Sequence, residues 1–460
     1  MKNSLIFIVV SLILFISCDS HDKKETIYFG GQIKNPKDDI VVIYKNDKQI
    51  ASTKLNQNNN FLFKLDSISN GLYRFKHGQE FQYIYLEKKD SLLIRLNTWD
   101  FDGSLVFSGK GSHRNNFLIQ LFLENEQEER ELYKFFNLDE EYFSNKVDSV
   151  IKLKKLLYNQ YKNNSQEQSD DFNDLINDII YLPTYANKEE YPIQYKKHHK
   201  LKKLPQLSNK FYNHRTLVIN NNNPFKDYYA YKNYLWNNIY NLAYYKLEQD
   251  TLLDLSSVLL KQISQSINDI DIKNNMLQQA FVNSLFDSSC DKKYKEHNTT
   301  FFLNHCNDKL KKDKVKEILS IINTLKKNTK LPEFYLKNTS DKLINSKILL
   351  GKNTVIYFWP KEANRIDNMA KRISYLIKKY PSIQFIGIDG QLENYDWKNY
   401  IELNNLELTK QFKLTDNNNK LFYTNDFPRA IIIDKNGIIK SNFTFISQYN
   451  FEPLLHKLEK

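Results

Sequence analysis

Thr354-Val355-Ile356-Tyr357-Phe358-Trp359 is an unbroken apolar and aromatic run that stops at Pro360 and gives way to Lys361-Glu362-Ala363-Asn364-Arg365. β-Branched and aromatic residues without alternation predict a strand covered on both faces, and the proline marks its end. Past the turn, Met369, Ile373, Leu376, Ile377 and Tyr380 recur at helical intervals, so a helix there buries one stripe. Ser382 to Asp389 reads as a second, nearly continuous apolar strand. After it, Asn394 to Leu403, with Trp397, predicts the crossover helix, the kind of connection a parallel strand requires. Phe427-Pro428-Arg429-Ala430-Ile431-Ile432-Ile433-Asp434, the turn Lys435-Asn436-Gly437 and Ile438-Ile439-Lys440 predict a hairpin. Phe451 to Leu458 predicts a closing helix. The whole is an α/β layer with a central sheet.

Leu331-Pro332-Glu333-Phe334-Tyr335-Leu336, a polar hairpin through Asp341, and Gly351-Lys352 precede this core. With it, they resemble the TlpA-like thiol-disulfide interchange proteins of Gram-negative bacteria across residues 331–460. The resemblance implies a thioredoxin-like fold and a cis Pro428. It also implies a groove walled by Trp359 and Phe427, beside Pro428, in which an extended peptide is held by main-chain bonds of the strand-addition kind. Where that family carries Cys-x-x-Cys, this chain reads Ala363-Asn364-Arg365-Ile366. Disulfide exchange requires an attacking thiolate and a second thiol to resolve the mixed disulfide. No cysteine occurs between Asn307 and Lys460, and Lys361, Glu362 and Arg365 cannot exchange with a disulfide. The expectation is a redox-inactive domain with no catalytic residue and a binding groove at Trp359, Phe427 and Pro428.

Two other cysteines, Cys290 and Cys306, are close enough in sequence to form a disulfide staple worth ~3 kcal/mol in the chain-entropy model. The alternative is a redox pair that would make the chain a thiol-disulfide oxidoreductase using Cys290 and Cys306.

The N-terminus reads as an export signal. Met1-Lys2-Asn3 is a basic start, Leu5 to Ile16 an apolar run broken only by Ser11, and Leu14-Phe15-Ile16-Ser17-Cys18 resembles a bacterial lipobox. The apolar run is shorter than the ~20 residues a membrane-crossing helix needs. Cleavage would leave Cys18 as a lipidated first residue, its acyl chains anchoring at ~0.8 kcal/mol per buried methylene. Residues 1–17 are then a lipoprotein signal peptide and 18–26 a polar tether. The expected location is the outer membrane, facing the periplasm or the cell surface, with the membrane as partner through Cys18 and with extended protein segments or envelope proteins as further partners.

From Ile27 the pattern is strand after strand: Ile40 to Tyr44, Phe61 to Leu65, Leu72 to Phe75, Tyr83 to Leu86, Leu92 to Leu96 and Leu105 to Phe107, separated by turn residues. Residues 27–112 therefore predict a β-sandwich or open barrel. Asp66-Ser67 through Gly71-Leu72-Tyr73, Tyr85-Leu86-Glu87-Lys88-Lys89-Asp90-Ser91-Leu92, and Phe107-Ser108-Gly109-Lys110-Gly111 before Asn115 resemble a β domain of unknown function found ahead of thioredoxin-like domains in bacterial lipoproteins. Lys89 stands where that pattern usually has glycine. The domain offers no nucleophile with a base, and a surface role in binding glycans or partner proteins is the alternative reading.

Residues 113–330 change to helical periodicity, as in Val147, Ile151, Leu153, Leu156 and Leu157, or Val315, Ile318, Leu319, Ile322 and Leu325, with breaks expected near Pro183, Pro192, Pro205 and Pro224. The fold class is thus multidomain α+β: an N-terminal β-sandwich, a central α-helical region and a thioredoxin-like α/β domain at 331–460. Of 460 residues 41% are hydrophobic and 14% aromatic, enough for several packed cores. The net charge of +12 is spread among interleaved acids, which argues against a nucleic-acid partner. Lys196-Lys197-His198-His199-Lys200-Leu201-Lys202-Lys203 is read as a solvated loop, since adjacent histidines without a second cluster make a poor metal site. No metal or cofactor is expected.

Overall fold

The computed structural model describes residues 25–46, 48–66, 68–218, 225–226, 228–250, 252–286, 292–360, 363–389, 401–402, 406–415, 422, 429–447 and 451–459. It is a mixed α+β structure in two compact units, Met1–Glu248 and Gln249–Lys460. The helical segment 113–330, expected as one bundle, is therefore shared between two units.

The first unit opens with β1 (Ile27–Lys34), β2 (Ile40–Lys45), β3 (Lys48–Lys54), β4 (Asn60–Leu65), β5 (Gly71–His77), β6 (Glu80–Leu86), β7 (Ser91–Asn97) and β8 (Val106–Lys110). They form two four-stranded sheets, ordered β4-β1-β7-β8 and β3-β2-β5-β6. Strict alternation sends every second residue inward. Phe29, Phe63, Leu92, Ile94 and Phe107 of one sheet meet Val41, Ile43, Tyr73, Phe75 and Ile84 of the other in one core. β3 has no alternating apolar face and lies at a sheet edge, which is why periodicity missed it.

The helices of this unit are α1 (Ser112–Leu132), α2 (Glu140–Asn164), α3 (Asp170–His198), α4 (His214–Val218) and α5 (Tyr229–Gln249). Asp139 caps α2 through the Tyr142 amide at 3.0 Å, and Ser169 caps α3 through Phe172 at 3.3 Å. α1 has no side-chain cap at its own N-cap. Instead Glu167 accepts from the Gly111 and Arg114 amides at 2.8 and 3.2 Å, a carboxylate set at the positive end of the helix. Arg114 in turn donates through Nη2 to both carboxylate oxygens of Asp90, at 2.8 and 2.7 Å, and pairs with Glu87 at 3.0 Å. The Asn115 amide accepts from the Tyr85 N–H and donates to the Tyr85 carbonyl, both at 2.8 Å. It completes the backbone pairing of edge strand β6 as a neighbouring strand would.

α3 corrects the expectation that Pro183 and Pro192 break the helix: it runs through both. A proline leaves the carbonyl four residues earlier without its donor. For Pro183 that carbonyl is Ile179, and the Asn125 amide of α1 donates to it at 3.3 Å. α5 contributes two more amides, Asn237 to the Ala186 carbonyl at 3.1 Å and Asn241 to that of Glu189 at 2.7 Å. Pro205 lies between helices as expected, and Pro224 lies outside the described residues.

The second unit contains α6 (Leu255–Ser266), α7 (Ile270–Phe286), α8 (Lys292–His305) and α9 (Lys309–Thr324). There follow β9 (Tyr335–Lys337), β10 (Leu343–Asn345), β11 (Thr354–Phe358), α10 (Ala363–Lys379), β12 (Gln384–Asp389), β13 (Gln411–Leu414), β14 (Arg429–Ile433), β15 (Ile439–Phe445) and α11 (Phe451–Glu459). The seven strands form one sheet in the order β10-β9-β13-β12-β11-β14-β15. β11, β12 and β13 run parallel, and β14 returns antiparallel beside β11. On one face Val355, Tyr357, Phe385 and Ile432 pack against Met369, Ile373 and Leu376 of α10 and Phe451 and Leu455 of α11. On the other face Ile356, Phe358, Ile386 and Ile431 pack with Ile321 of α9 and with Leu325. Both faces are covered, which explains the continuous apolar runs. The core of this sheet begins before residue 331, because the last turn of α9 is part of it.

Candidate functional site

β11 lies inside the sheet, and its last residue leads to Trp359 and Pro360 at the carboxyl edge of the parallel strands, where open α/β sheets place their ligands. The elements that bring side chains to this edge follow from register. Phe358 pairs with Ile388, and Tyr357 with Ala430. Trp359 therefore emerges next to Asp389 at the end of β12, with Arg429 at the start of β14 on the other side. Asp389 and Lys413 are register partners on β12 and β13. Asp389 is fully buried and Arg429 nearly so, its guanidinium 4.8 Å from the centre of the Phe358 ring.

Trp359 is 8% exposed. Its backbone N–H donates to the Ile388 carbonyl at 3.0 Å, and its indole Nε1 donates to Gln411 Oε1 at 3.2 Å. Gln411 Nε2 donates to the Tyr357 hydroxyl at 3.0 Å, and the Tyr357 and Trp359 rings meet edge to face at 5.4 Å. Burial pushes the Tyr357 hydroxyl well above its ordinary pKa, so it stays neutral. This amide clamp occupies the space over Gly387, where a Cβ would sit 1.9 Å from Gln411 Oε1 and 2.8 Å from Trp359 Nε1. Trp359 thus fixes the base of the edge and presents only a margin of its ring to a ligand. Gln411 carried no signal in the sequence: it lies on β13, a short strand with two polar residues among four.

Phe427 and Pro428 lie outside the described residues, as do Lys361, Glu362, Cys18 and Cys290. Of the residues expected to wall a groove, Trp359 is therefore the one among the described residues. Cys306, expected among polar loop residues, is a free thiol with no exposure, next to the C-terminus of α8; its N–H donates to the Phe302 carbonyl at 2.9 Å. Among the described residues no three His, Cys, Asp or Glu side chains are grouped to hold a metal. The Lys196 to Lys200 run ends α3: His199 Nε2 lies 2.9 Å from the Asn137 carbonyl, and Lys196 pairs with Glu248 at 2.7 Å. Cations at that end complement the helix dipole. Of the tyrosines between 228 and 245, Tyr228, Tyr231 and Tyr234 are buried core. No described helix is long and apolar enough to cross a membrane.

No family model matches the sequence, and no curated protein matches it. Solved structures do resemble it. One is a thioredoxin-like protein from Bacteroides caccae, 12% identical, aligned over 59% of this chain and 92% of its own, with a TM-score of 0.31. A Bacteroides vulgatus protein assigned as a thiol-disulfide oxidoreductase is 21% identical over 29% of this chain and 98% of its own, with a TM-score of 0.26. A thiol:disulfide interchange protein from a Bacteroides species is 20% identical over 26% of this chain and 81% of its own, with a TM-score of 0.23.

Proposed function

We propose that this chain is a lipid-anchored envelope protein that holds extended protein segments at the carboxyl edge of its C-terminal sheet and does not exchange disulfides. The observation that carries the reading is the distribution of sulfur. The strand-to-helix turn has no cysteine, none follows Asn307, and Cys306 is sealed in the interior. A thiol without solvent access meets no substrate disulfide, which also weighs against the alternative of a redox pair with Cys290. What a sheet edge retains without thiols is backbone geometry and an aromatic margin, and both suit an extended peptide. Anchoring through Cys18 at the outer membrane rests on the lipobox pattern.

The test uses the mature full-length chain. Titration with an unfolded, carboxymethylated protein should shift the Trp359 indole and Gln411 amide resonances, while insulin reduction with dithiothreitol should proceed no faster than in the reductant alone. Unchanged resonances, or catalysed insulin reduction, would overturn the proposal.

A further inference from the structure

The first unit contains a concavity of about 340 Å³ between the C-terminal half of α1 with the turn after it, the middle of α3, and the N-terminal half of α5. That size lies within the ~300–1,000 Å³ of small-molecule sites. Its base is apolar: Leu132, Phe136 and Ala230 are buried, beside Pro183. Its walls are amides, carboxylates and tyrosines, and no lysine or arginine stands among the described lining residues. Anionic ligands therefore find no counter-charge there.

Glu128, the most enclosed of the lining carboxylates, is already neutralised by the buried ammonium of Lys154, which also donates to Asn125 Oδ1 at 2.5 Å. Burial works against charge on both partners. Glu129, at the exposed rim, and Glu190 are the remaining lining carboxylates, acceptors to which sugar hydroxyls can donate and which an ammonium ligand would also meet, so spermidine is the competitor that separates the two. Glu190 is steadied by Gln194 Nε2 at 2.6 Å. Asn187 and Asn233, on facing helices, each offer an acceptor and two donors on one planar group, the complement of adjacent hydroxyls that both give and accept. Tyr133 and Tyr229 add ring faces with polar tips, suited to the apolar C–H face of a sugar ring and its hydroxyl rim.

We infer that this pocket binds a neutral pyranose unit of an oligosaccharide, with Asn187, Asn233 and Glu190 reading hydroxyls and Tyr133 or Tyr229 stacking on the ring. The site belongs to the first unit and stands apart from the sheet edge of the second. Saturation-transfer NMR on the mature full-length chain, with cellotriose, maltotriose, chitotriose and mannotriose as probes, tests it. The expected result is transfer to ring protons of at least one trisaccharide, weakened roughly tenfold by Asn233→Ala. Asn233 is exposed, so the variant should keep the parent's circular dichroism and melting; Tyr133→Ala, on a residue 53% exposed, is the second variant. Absence of transfer to all four sugars overturns the inference. So does transfer that neither folded variant weakens, or spermidine competing at the same residues while no sugar does.

Discussion

Lys89 shows how one backbone angle can explain a sequence oddity. It has φ of +67° in the turn between β6 and β7, the left-handed region in which a Cβ is penalised. A pattern that usually has glycine at this position is a pattern that needs this angle. Lys89→Gly should raise the stability of the first unit by about 0.5–1 kcal/mol, the relief of strain less the extra chain entropy, measured by urea unfolding. Next to it, Asp90 is held by Arg114 in a pair that is almost wholly buried, and a Cβ on Gly111 would lie 2.9 Å from the Asp90 carboxylate. Removing one partner of such a pair leaves a buried charge uncompensated, so Arg114→Met should cost ~3–5 kcal/mol in the same measurement. Asp90, Gly111 and Asn115 were visible in the sequence through its resemblance to a β-domain pattern, and Arg114 was not. Their shared role was not legible, because Asp90, Gly111, Arg114 and Asn115 meet only when β7 and α1 are brought together.

Among the elements, α3 is the one the sequence misjudged. Pro183 and Pro192 read as breaks because local propensity weighs only the lost bond and the ring's clash; at Pro183 the amide that makes good the loss is that of Asn125 in α1, far along the chain. This compensation can be measured. Asn125→Leu leaves the Ile179 carbonyl and the Lys154 ammonium each short of a partner, at about 1–3 kcal/mol for each group. Pro183→Ala returns an N–H to the Ile179 carbonyl, so in the Asn125→Leu background it should recover part of that loss. A double-mutant cycle by urea unfolding should give a coupling of ~0.5–3 kcal/mol, and additive effects would show that Asn125 does not replace the missing donor. α3 and α4 are joined by Glu189, which accepts from Arg215 Nε and Nη2 at 2.8 and 2.6 Å and lies 2.8 Å from His214 Nε2. Burial pushes its carboxyl up, but Arg215 and His214 outweigh that and hold it below the ordinary glutamate value of about 4.3. A depressed carboxyl stabilises the fold above that value and loses its contribution as pH falls through the folded pKa. Glu189→Gln should therefore flatten the acid side of the stability–pH curve below about pH 4.3, while destabilising the unit at pH 7. Strands β2 and β4 to β8 were legible because one buried face imposes period two on their residues, and β3 was not because an edge strand with little burial carries no such signature.

Over the whole molecule, the C-terminal sheet was the most legible part, since strands covered on both sides leave long apolar runs that no other arrangement of these lengths requires. Two things escaped. One was how far that core reaches: Leu325 read as part of another helical stripe and Ile321 was not singled out, and only the packing shows the two covering the sheet's second face. The other was the fate of Cys306, which lies just past the end of α8 in the loop its polar sequence neighbours suggested, yet with no exposure. The reading of a non-redox protein therefore depends on a property that sequence cannot report, whether the one described thiol can be reached. In a chain carrying Cys18→Ser and Cys290→Ser, Cys306 is the sole sulfhydryl. Ellman's reagent should then modify it only as fast as its surroundings open, because reagent and thiolate cannot meet in the closed state. The rate should rise with urea in parallel with unfolding, and it should be unaffected by substitutions in the first unit that leave the second unit's unfolding unchanged. Stoichiometric modification at the rate of a free cysteine in native buffer would mean that the thiol is open to disulfides, and the scaffold reading would give way to an exchange enzyme built on Cys290 and Cys306.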